Sequence, residues 1–197
     1  GLYARTQGLK PAVADAIYDQ YRPMSMEDRI PRTVEGQLLA LADKADTIAG
    51  MFGVGLEPTG SKDPFALRRA ANGVVKILAE SKPPLPLTLG DVADAAADSG
   101  ELRRRLEVFF AERLEFYLRD AKGQAYDVVK AVLAAGANDV PDAVARAEAM
   151  TFVRGSEDFA AVSAAFKRMK NILVQAQEKG LLADLLSAPA AKEFHPA

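Results

Sequence analysis

The sequence predicts an all-α fold, and three observations support that prediction. No alternating run of apolar and polar residues reaches the length of a β-strand, and clusters of β-branched residues are rare. Apolar residues step by three and four along several segments, as they do on the buried face of a helix. Residues that begin helices also recur: Pro11 can stand at a first helical position, and Thr33 and Ser99 can act as N-caps. We therefore expect a multi-helix bundle of about eight helices.

After the helix that Pro11 begins, two more helices are predicted in the first half of the chain. One follows Thr33 and ends at the glycines of segment 50–55. The next has Asp63 as its N-cap and Pro64 at its first position, and it reaches about Glu80. The helix after Thr33 has apolar residues at helical spacing, which are Leu38, Leu41, Ala45, Ile48 and Phe52.

The second half contains five more predicted helices. Thr88, followed by Asp91, begins a short helix, and Ser99 begins a longer one. Further helices are predicted at about 125–133 and from residue 139 or 141 to residue 152, and Ser156 caps the last. The helix after Ser99 has an apolar stripe of Leu102, Leu106, Phe109, Phe110, Leu114, Tyr117 and Leu118. The helix after Ser156 has one of Phe159, Val162, Phe166, Met169 and Leu173.

Composition narrows the classes of protein to consider. With 49% hydrophobic residues among 197, the chain can bury a core. A net charge of -2 gives no overall basic field, so contact with nucleic acid must come from local patches. The absence of cysteine excludes disulfides and thiolate metal sites and fits a reducing compartment. Because no membrane-spanning run or signal-peptide pattern is present, we predict a cytoplasmic protein with no membrane partner.

A Gly-rich stretch at residues 53–62 resembles a phosphate-binding loop only superficially. A P-loop has the order Gly-Lys-Ser/Thr after a strand, whereas this stretch has Gly-Ser-Lys after a predicted helix. We interpret it as a corner between two helices. In that position Lys62 and the start of the next helix could meet a phosphate backbone.

Asp43 and Asp46 lie three residues apart in the run LADKAD and so fall near one helical face. That run resembles the last metal-binding helix of HD-type phosphohydrolases. Such a site needs several histidines, and the chain has one, His195, near its end. We therefore predict no metal site and expect Asp43 to be a degenerate HD-like position with a capping or salt-bridging role.

Basic residues form three local patches: Arg68 and Arg69 with Lys76, the run 103–105, and 167–170. Each patch could contact successive phosphates of a nucleic acid. For any single patch, however, the favoured interpretation is a solvated helical face whose charge is balanced by nearby acidic residues. The spacing of the aromatic residues at 109–117 indicates a core, not a surface that stacks bases. No Ser-His-Asp, Cys-His or HExxH arrangement is present, so no catalytic residue is predicted.

Three segments together carry a resemblance to a known family. They read ADAIYDQYRP at 14–23, LADKADTIAGMFGVGLEPTGSKDPFALRRA at 41–70 and AAFKRMKNIL at 164–173. In these segments the chain resembles the β subunit of the bacterial two-subunit glycyl-tRNA synthetase, and the second segment is long enough to be specific. Because residue 1 is not Met, we also expect the chain to be part of a longer protein.

The resemblance implies a domain organisation. Residues 1–81 would be the later part of a degenerate HD-like helical domain, and 82–87 a Pro-rich linker. Residues 88–160 would form a helical connecting body. Residues 161–197 would begin an anticodon-binding helical region.

The resemblance also implies partners and a role. The partners would be tRNA-Gly, the catalytic α subunit and the rest of the β subunit. ATP and Mg²⁺ would be handled by the α subunit, with no cofactor in this chain. As the basic members of family-like motifs, Lys62, Arg68, Arg69 and Arg168 are the candidates for tRNA contact.

Two other interpretations stay open at this point. One is a remnant of an HD-type metal-dependent phosphohydrolase, which LADKAD favours and the missing histidines oppose. The other is a scaffold that docks the catalytic subunit without touching RNA. An exposed apolar patch in place of a basic one would favour the scaffold.

Overall fold

The structure, a computed structural model, describes residues 1–178 and confirms the all-α prediction. Within that range there are nine α-helices, a π-helical segment and no β-strand longer than an isolated bridge. In chain order the α-helices are α1 (Leu2–Thr6), α2 (Pro11–Asp19), α3 (Val34–Gly53), α4 (Leu67–Glu80), α5 (Leu89–Ala96), α6 (Gly100–Phe116), α7 (Tyr126–Ala134), α8 (Val140–Val153) and α9 (Glu157–Glu178). The π-helical segment, Tyr117–Ala121, directly continues α6.

Four of the predicted helix starts are confirmed by side-chain caps. The Thr33 hydroxyl accepts a hydrogen bond from the Gly36 amide at 3.1 Å. Ser99 and Ser156 accept in the same way from amides three residues later. Thr88 forms a full capping box, in which the Asp91 carboxylate accepts from the Thr88 amide at 2.8 Å.

The predicted start of α4 is wrong. The helix begins at Leu67, not at Pro64, because Ala66 has a left-handed backbone (φ 55°) that interrupts the chain just before it. Asp63 still caps α4, but from outside the N-cap position. Its carboxylate accepts hydrogen bonds from the amides of Leu67 at 2.8 Å and Arg68 at 3.0 Å. The five-residue helix α1 was also not predicted.

One hydrophobic core joins α3–α8. The predicted stripe of α6 is buried along its full length, and Phe52 of α3 packs its ring against Phe109 at a centroid distance of 5.1 Å. Residues on both sides of segment 82–87 contribute to this core, including Leu78 and Leu89. The core interpretation is therefore confirmed for Phe109 and Phe110 of α6 and for Tyr117 of the π-helical segment, whereas Phe116 is only partly buried.

The chain divides into two compact units, residues 1–151 and 152–197. Within the described part of the second unit, α9 has exposed apolar side chains at Val162, Phe166 and Met169. The domain boundaries implied by the resemblance stay predictions. His195 and residues 179–197 of the implied anticodon-binding region lie outside the described residues.

Across residues 1–178, no helix is both long enough and apolar enough to span a bilayer.

Candidate nucleic-acid interface

The Gly-rich stretch forms an exposed corner between α3 and α4. α3 ends at Gly53, and Gly55 then takes a positive φ of 76°. Thr59 and Lys62 pair their backbones, each amide donating to the other's carbonyl at 3.1 and 2.9 Å. Gly60, inside this tight turn, has φ 52°, a conformation that favours glycine. The turn therefore presents Lys62 to solvent.

Arg105 of α6 fixes the first part of this corner. Its guanidinium donates to the carbonyl of Phe52 at 2.8 Å and to the Glu57 carboxylate. The guanidinium also lies over the Phe52 ring, 5.5 Å from the centroid. One side chain thus attaches the end of α3 and the beginning of the loop to α6.

Arg68 and Arg69 occupy the first turn of α4 and line different clefts. Arg68 is partly exposed in a cleft of about 300 Å³ between α4 and α6, where Arg104, Glu57 and Glu112 also lie. Arg69 is exposed in a second cleft of about 220 Å³, which we call the α3–α4 cleft. Consecutive helical residues point about 100° apart, so the two arginines cover two sides of the helix start.

The cationic groups of three residues at this corner lack a partner in the protein. Within residues 1–178, none of Lys62, Arg68 and Arg69 forms an ion pair or a side-chain hydrogen bond. The amides at the start of α4 are different, because the Asp63 carboxylate already accepts from Leu67 and Arg68. Two amides of this helix start are therefore already hydrogen-bonded within the protein and are not free to meet a phosphate.

The other basic patches of the first unit are neutralised internally. Arg103 pairs with Asp94 and Glu107 at 2.9 Å each, and Arg104 pairs with Glu101. Arg105 pairs with Glu57, so every arginine of the run 103–105 has an acidic partner. The run therefore fits the interpretation of a solvated helical face whose charge is balanced by nearby acidic residues.

Lys76 does not extend a phosphate track from Arg69. Its side chain is only 8% exposed and donates to Glu80 at 2.7 Å. Glu80 also accepts from the Tyr117 hydroxyl at 3.2 Å. Lys76 therefore belongs to a partly buried polar network.

Asp43 lies in the α3–α4 cleft together with Arg69. Among the described residues its carboxylate makes no ion pair and accepts no hydrogen bond, so the expected capping or salt-bridging role is not seen. Residues 1–178 contain no group of three His, Cys, Asp or Glu side chains that could hold a metal ion.

Arg168, the fourth predicted contact, belongs to the second unit. It lies on α9, exposed, between Lys167 and the nearby Lys170. As in the first unit, no ion pair to a described residue holds it.

Comparison with known proteins decides the family. The family profile described as "Glycyl-tRNA synthetase beta subunit" matches residues 1–134. The chain belongs to this glycyl-tRNA synthetase β-subunit family. The resemblance found in the sequence is thereby confirmed, and the family is one of aminoacyl-tRNA synthetases.

Individual β subunits agree with the family match. The chain is 60% identical over its whole length to the glycine–tRNA ligase β subunit of Acidobacterium capsulatum, covering 30% of that protein. It is 43% identical to the β subunit of Phenylobacterium zucineum over 92% of the chain and 25% of that protein. The β subunit of Syntrophus aciditrophicus is 39% identical over 98% of the chain, which covers 29% of that protein. The chain thus spans less than a third of the length of these curated relatives.

Two residues of this β-subunit chain, Lys44 and Arg105, have structural roles that were not predicted from the sequence, although Arg105 was counted in a basic patch. Lys44 is buried, and burial lowers the pKa of its ammonium from the usual value, while the Asp43 carboxylate opposes that shift. A signal for Lys44 was present, since it falls at helical spacing among the buried residues Leu41 and Ile48. Arg105 had no such signal, because its partners lie about 50 residues away in the chain.

Proposed function

We propose that this chain supports the binding of tRNA-Gly and assembly with the catalytic α subunit for glycyl-tRNA synthesis. In this proposal the chain itself performs no chemistry. Glycine, ATP and Mg²⁺ are handled by the α subunit of the holoenzyme, in the cytoplasm. Family membership supports the general role, and the arrangement of basic side chains supports the tRNA contact.

The observation that carries the tRNA contact is the set of unpaired cations around the α3–α4 corner. Lys62, Arg68 and Arg69 are solvent-accessible to differing degrees and have no anionic partner in residues 1–178. In the same unit the arginines of 103–105 are all ion-paired. A cation that is not neutralised by the protein can neutralise a phosphate and release its counterions.

The contact positions tRNA without reading its sequence. Arginine presents a planar fork of donors that matches two phosphate oxygens, and lysine presents a compact point charge. Phosphate contacts fix the register and orientation of a nucleic acid but carry no base information. The anchored corner would therefore hold tRNA in place while recognition of its identity comes from other parts of the enzyme.

The test is a salt titration of tRNA-Gly binding to the complete two-subunit enzyme. We expect Arg68→Ala with Arg69→Ala to weaken binding and to lower the slope of log K against log salt by about one unit for each phosphate that is no longer neutralised. The matched control is Arg103→Ala with Arg119→Ala, which removes the same charge from two exposed, ion-paired arginines. Its slope should stay close to that of the unmodified enzyme.

An unchanged slope in the Arg68/Arg69 variant would contradict the proposed contact and favour the scaffold interpretation. Arg168→Ala, measured in the same titration, tests the second unit separately. A lower slope there would show that the second unit also contacts phosphate. If only the Arg168 variant changed the slope, the contact would lie on α9 and not at the α3–α4 corner.

A further inference from the structure

The α3–α4 cleft combines features that a phosphate contact alone does not need. We infer that this cleft binds a single unpaired ribonucleotide of the bound RNA, with Asp43 accepting a hydrogen bond from the ribose and aromatic side chains contacting the base. The inference rests on the proposed function, since RNA must first be held by the enzyme. It assigns a role to Asp43, Tyr21 and Phe65 that no phosphate contact explains.

Three segments of the chain meet to build the cleft. α3 contributes Asp43, and α4 contributes Arg69. The loop after α2 contributes Tyr21 and is attached to α3 by Lys44, whose ammonium donates to the carbonyls of Gln20 at 3.1 Å and Arg22 at 2.9 Å. Because these bonds are made by a buried side chain, the wall that carries Tyr21 is fixed with respect to α3.

Beside the buried Lys44, whose ammonium is bonded to backbone carbonyls, Asp43 and Arg69 line this small cleft without pairing. Arg69 and Asp43 are both exposed, and within residues 1–178 neither makes an ion pair, with each other or with any other side chain. A ligand that offers both an anion and hydrogen-bond donors would satisfy the two side chains at once. A ribonucleotide does so through its phosphate and its 2′-hydroxyl.

Two aromatic side chains favour a nucleotide over a smaller dipolar ligand such as an amino acid. Tyr21 is 65% exposed and Phe65 is 45% exposed, and both line the cleft. Unpaired bases stack on exposed aromatic side chains, and such stacking tolerates different bases. Paired bases within a duplex do not offer their faces, so the nucleotide must be unpaired.

The 2′-hydroxyl distinguishes this role from simple charge attraction. A carboxylate repels phosphate, so an Asp in a phosphate site is unfavourable unless it accepts a hydrogen bond from a donor on the ligand. Asp43 would therefore select ribose over deoxyribose. Arg69 would supply the attraction that brings the backbone to the cleft.

The experiment measures 2′-hydroxyl acylation of tRNA-Gly along its whole length, alone and bound to the complete enzyme. With the unmodified enzyme we expect an unpaired nucleotide to be among the positions that lose reactivity on binding. In Asp43→Ala, which removes the acceptor oxygens, that position should regain its reactivity, while the other protected positions stay protected. The matched control is Asp46→Ala, which removes the same group from an exposed residue one turn further along α3 and outside the cleft.

A second variant tests the stacking contact. Tyr21→Ala should restore acylation at the same nucleotide and weaken tRNA binding by about fivefold or more, as expected for the loss of one base–aromatic stack. Because Tyr21 is mostly exposed, this change should leave thermal unfolding unaltered.

The outcomes separate this inference from the proposed function. Identical protection patterns for Asp43→Ala and the unmodified enzyme, with salt-dependent binding that still requires Arg68, would overturn the cleft inference and leave the proposed function standing. Protection lost equally in Asp46→Ala would also overturn it, because the effect would then be one of helix charge. Absence of tRNA binding by the unmodified enzyme would overturn both.

Discussion

The side chain of Lys44 passes so close to Gly73 that a Cβ atom at position 73 would lie 2.8 Å from Cε of the lysine. Lys44 belongs to α3 and Gly73 to α4, and the two helices hold the lysine chain between them. The carbonyl of Pro23 would also lie 3.5 Å from such a Cβ. Glycine at position 73 thus makes room for the lysine that attaches the loop after α2.

Gly73→Ala should destabilise the protein. The added methyl group would displace the lysine chain from its path and weaken its hydrogen bonds to Gln20 and Arg22, at a cost of about 1–3 kcal/mol in the free energy of unfolding. Urea unfolding measures this change. The matched control is Gly50→Ala in α3, where a Cβ would meet nothing within 4 Å and the free energy should rise by up to about 1 kcal/mol. A gain in stability by Gly73→Ala as large as that of Gly50→Ala would contradict the close packing.

Lys44 should also give stability a pH dependence. Burial disfavours its charged form, so its pKa in the folded protein lies below the ordinary value of 10.5, and the unfolded chain binds more protons between the two pKa values. Stability should therefore rise with pH in that window. The measurement is urea unfolding of the unmodified protein and Lys44→Met from pH 8 upward. As pH approaches 10.5, the unmodified protein should gain unfolding free energy relative to Lys44→Met. A difference between the two proteins that did not vary with pH would mean that folding does not lower the pKa of Lys44.

The structure shows which features the sequence could predict and which it could not. Caps at Thr33, Ser99 and Ser156 were predictable because each involves residues only three apart. The start of α4 was not, because Asp63 reaches its amides across a left-handed Ala66, a conformation unusual for alanine.

The candidate site was predictable only in part. The basic residues could be chosen from family-like motifs, but which of them lack an ionic partner depends on packing between distant helices. Arg105 is neutralised by Glu57, and Asp43 meets Arg69 in one cleft, only because α3, α4 and α6 pack together. Neither relation has a local sequence pattern.

Asp63→Ala should weaken the start of α4. The change leaves the amides of Leu67 and Arg68 without their acceptor, and loss of such a cap costs about 1–2 kcal/mol. Asp63→Asn keeps one carbonyl oxygen, so its cost should be smaller. Thermal unfolding of the two variants measures both effects. If the two lost the same stability, the pair of hydrogen bonds would not be the cause.

Gly60→Ala tests whether the turn that presents Lys62 depends on backbone conformation. Gly60 has φ 52°, and a Cβ there would meet nothing within 4 Å, so the variant changes only the cost of the left-handed backbone. We expect a loss of about 1 kcal/mol and faster hydrogen exchange at the paired amides of Thr59 and Lys62. Gly60→Asn, which tolerates this conformation better, should show a smaller change in exchange. Gly100→Ala is the control, because Gly100 is equally uncrowded but has no positive φ. Slow exchange in Gly60→Ala would mean that the turn is held by other contacts, and that the position of Lys62 does not depend on glycine.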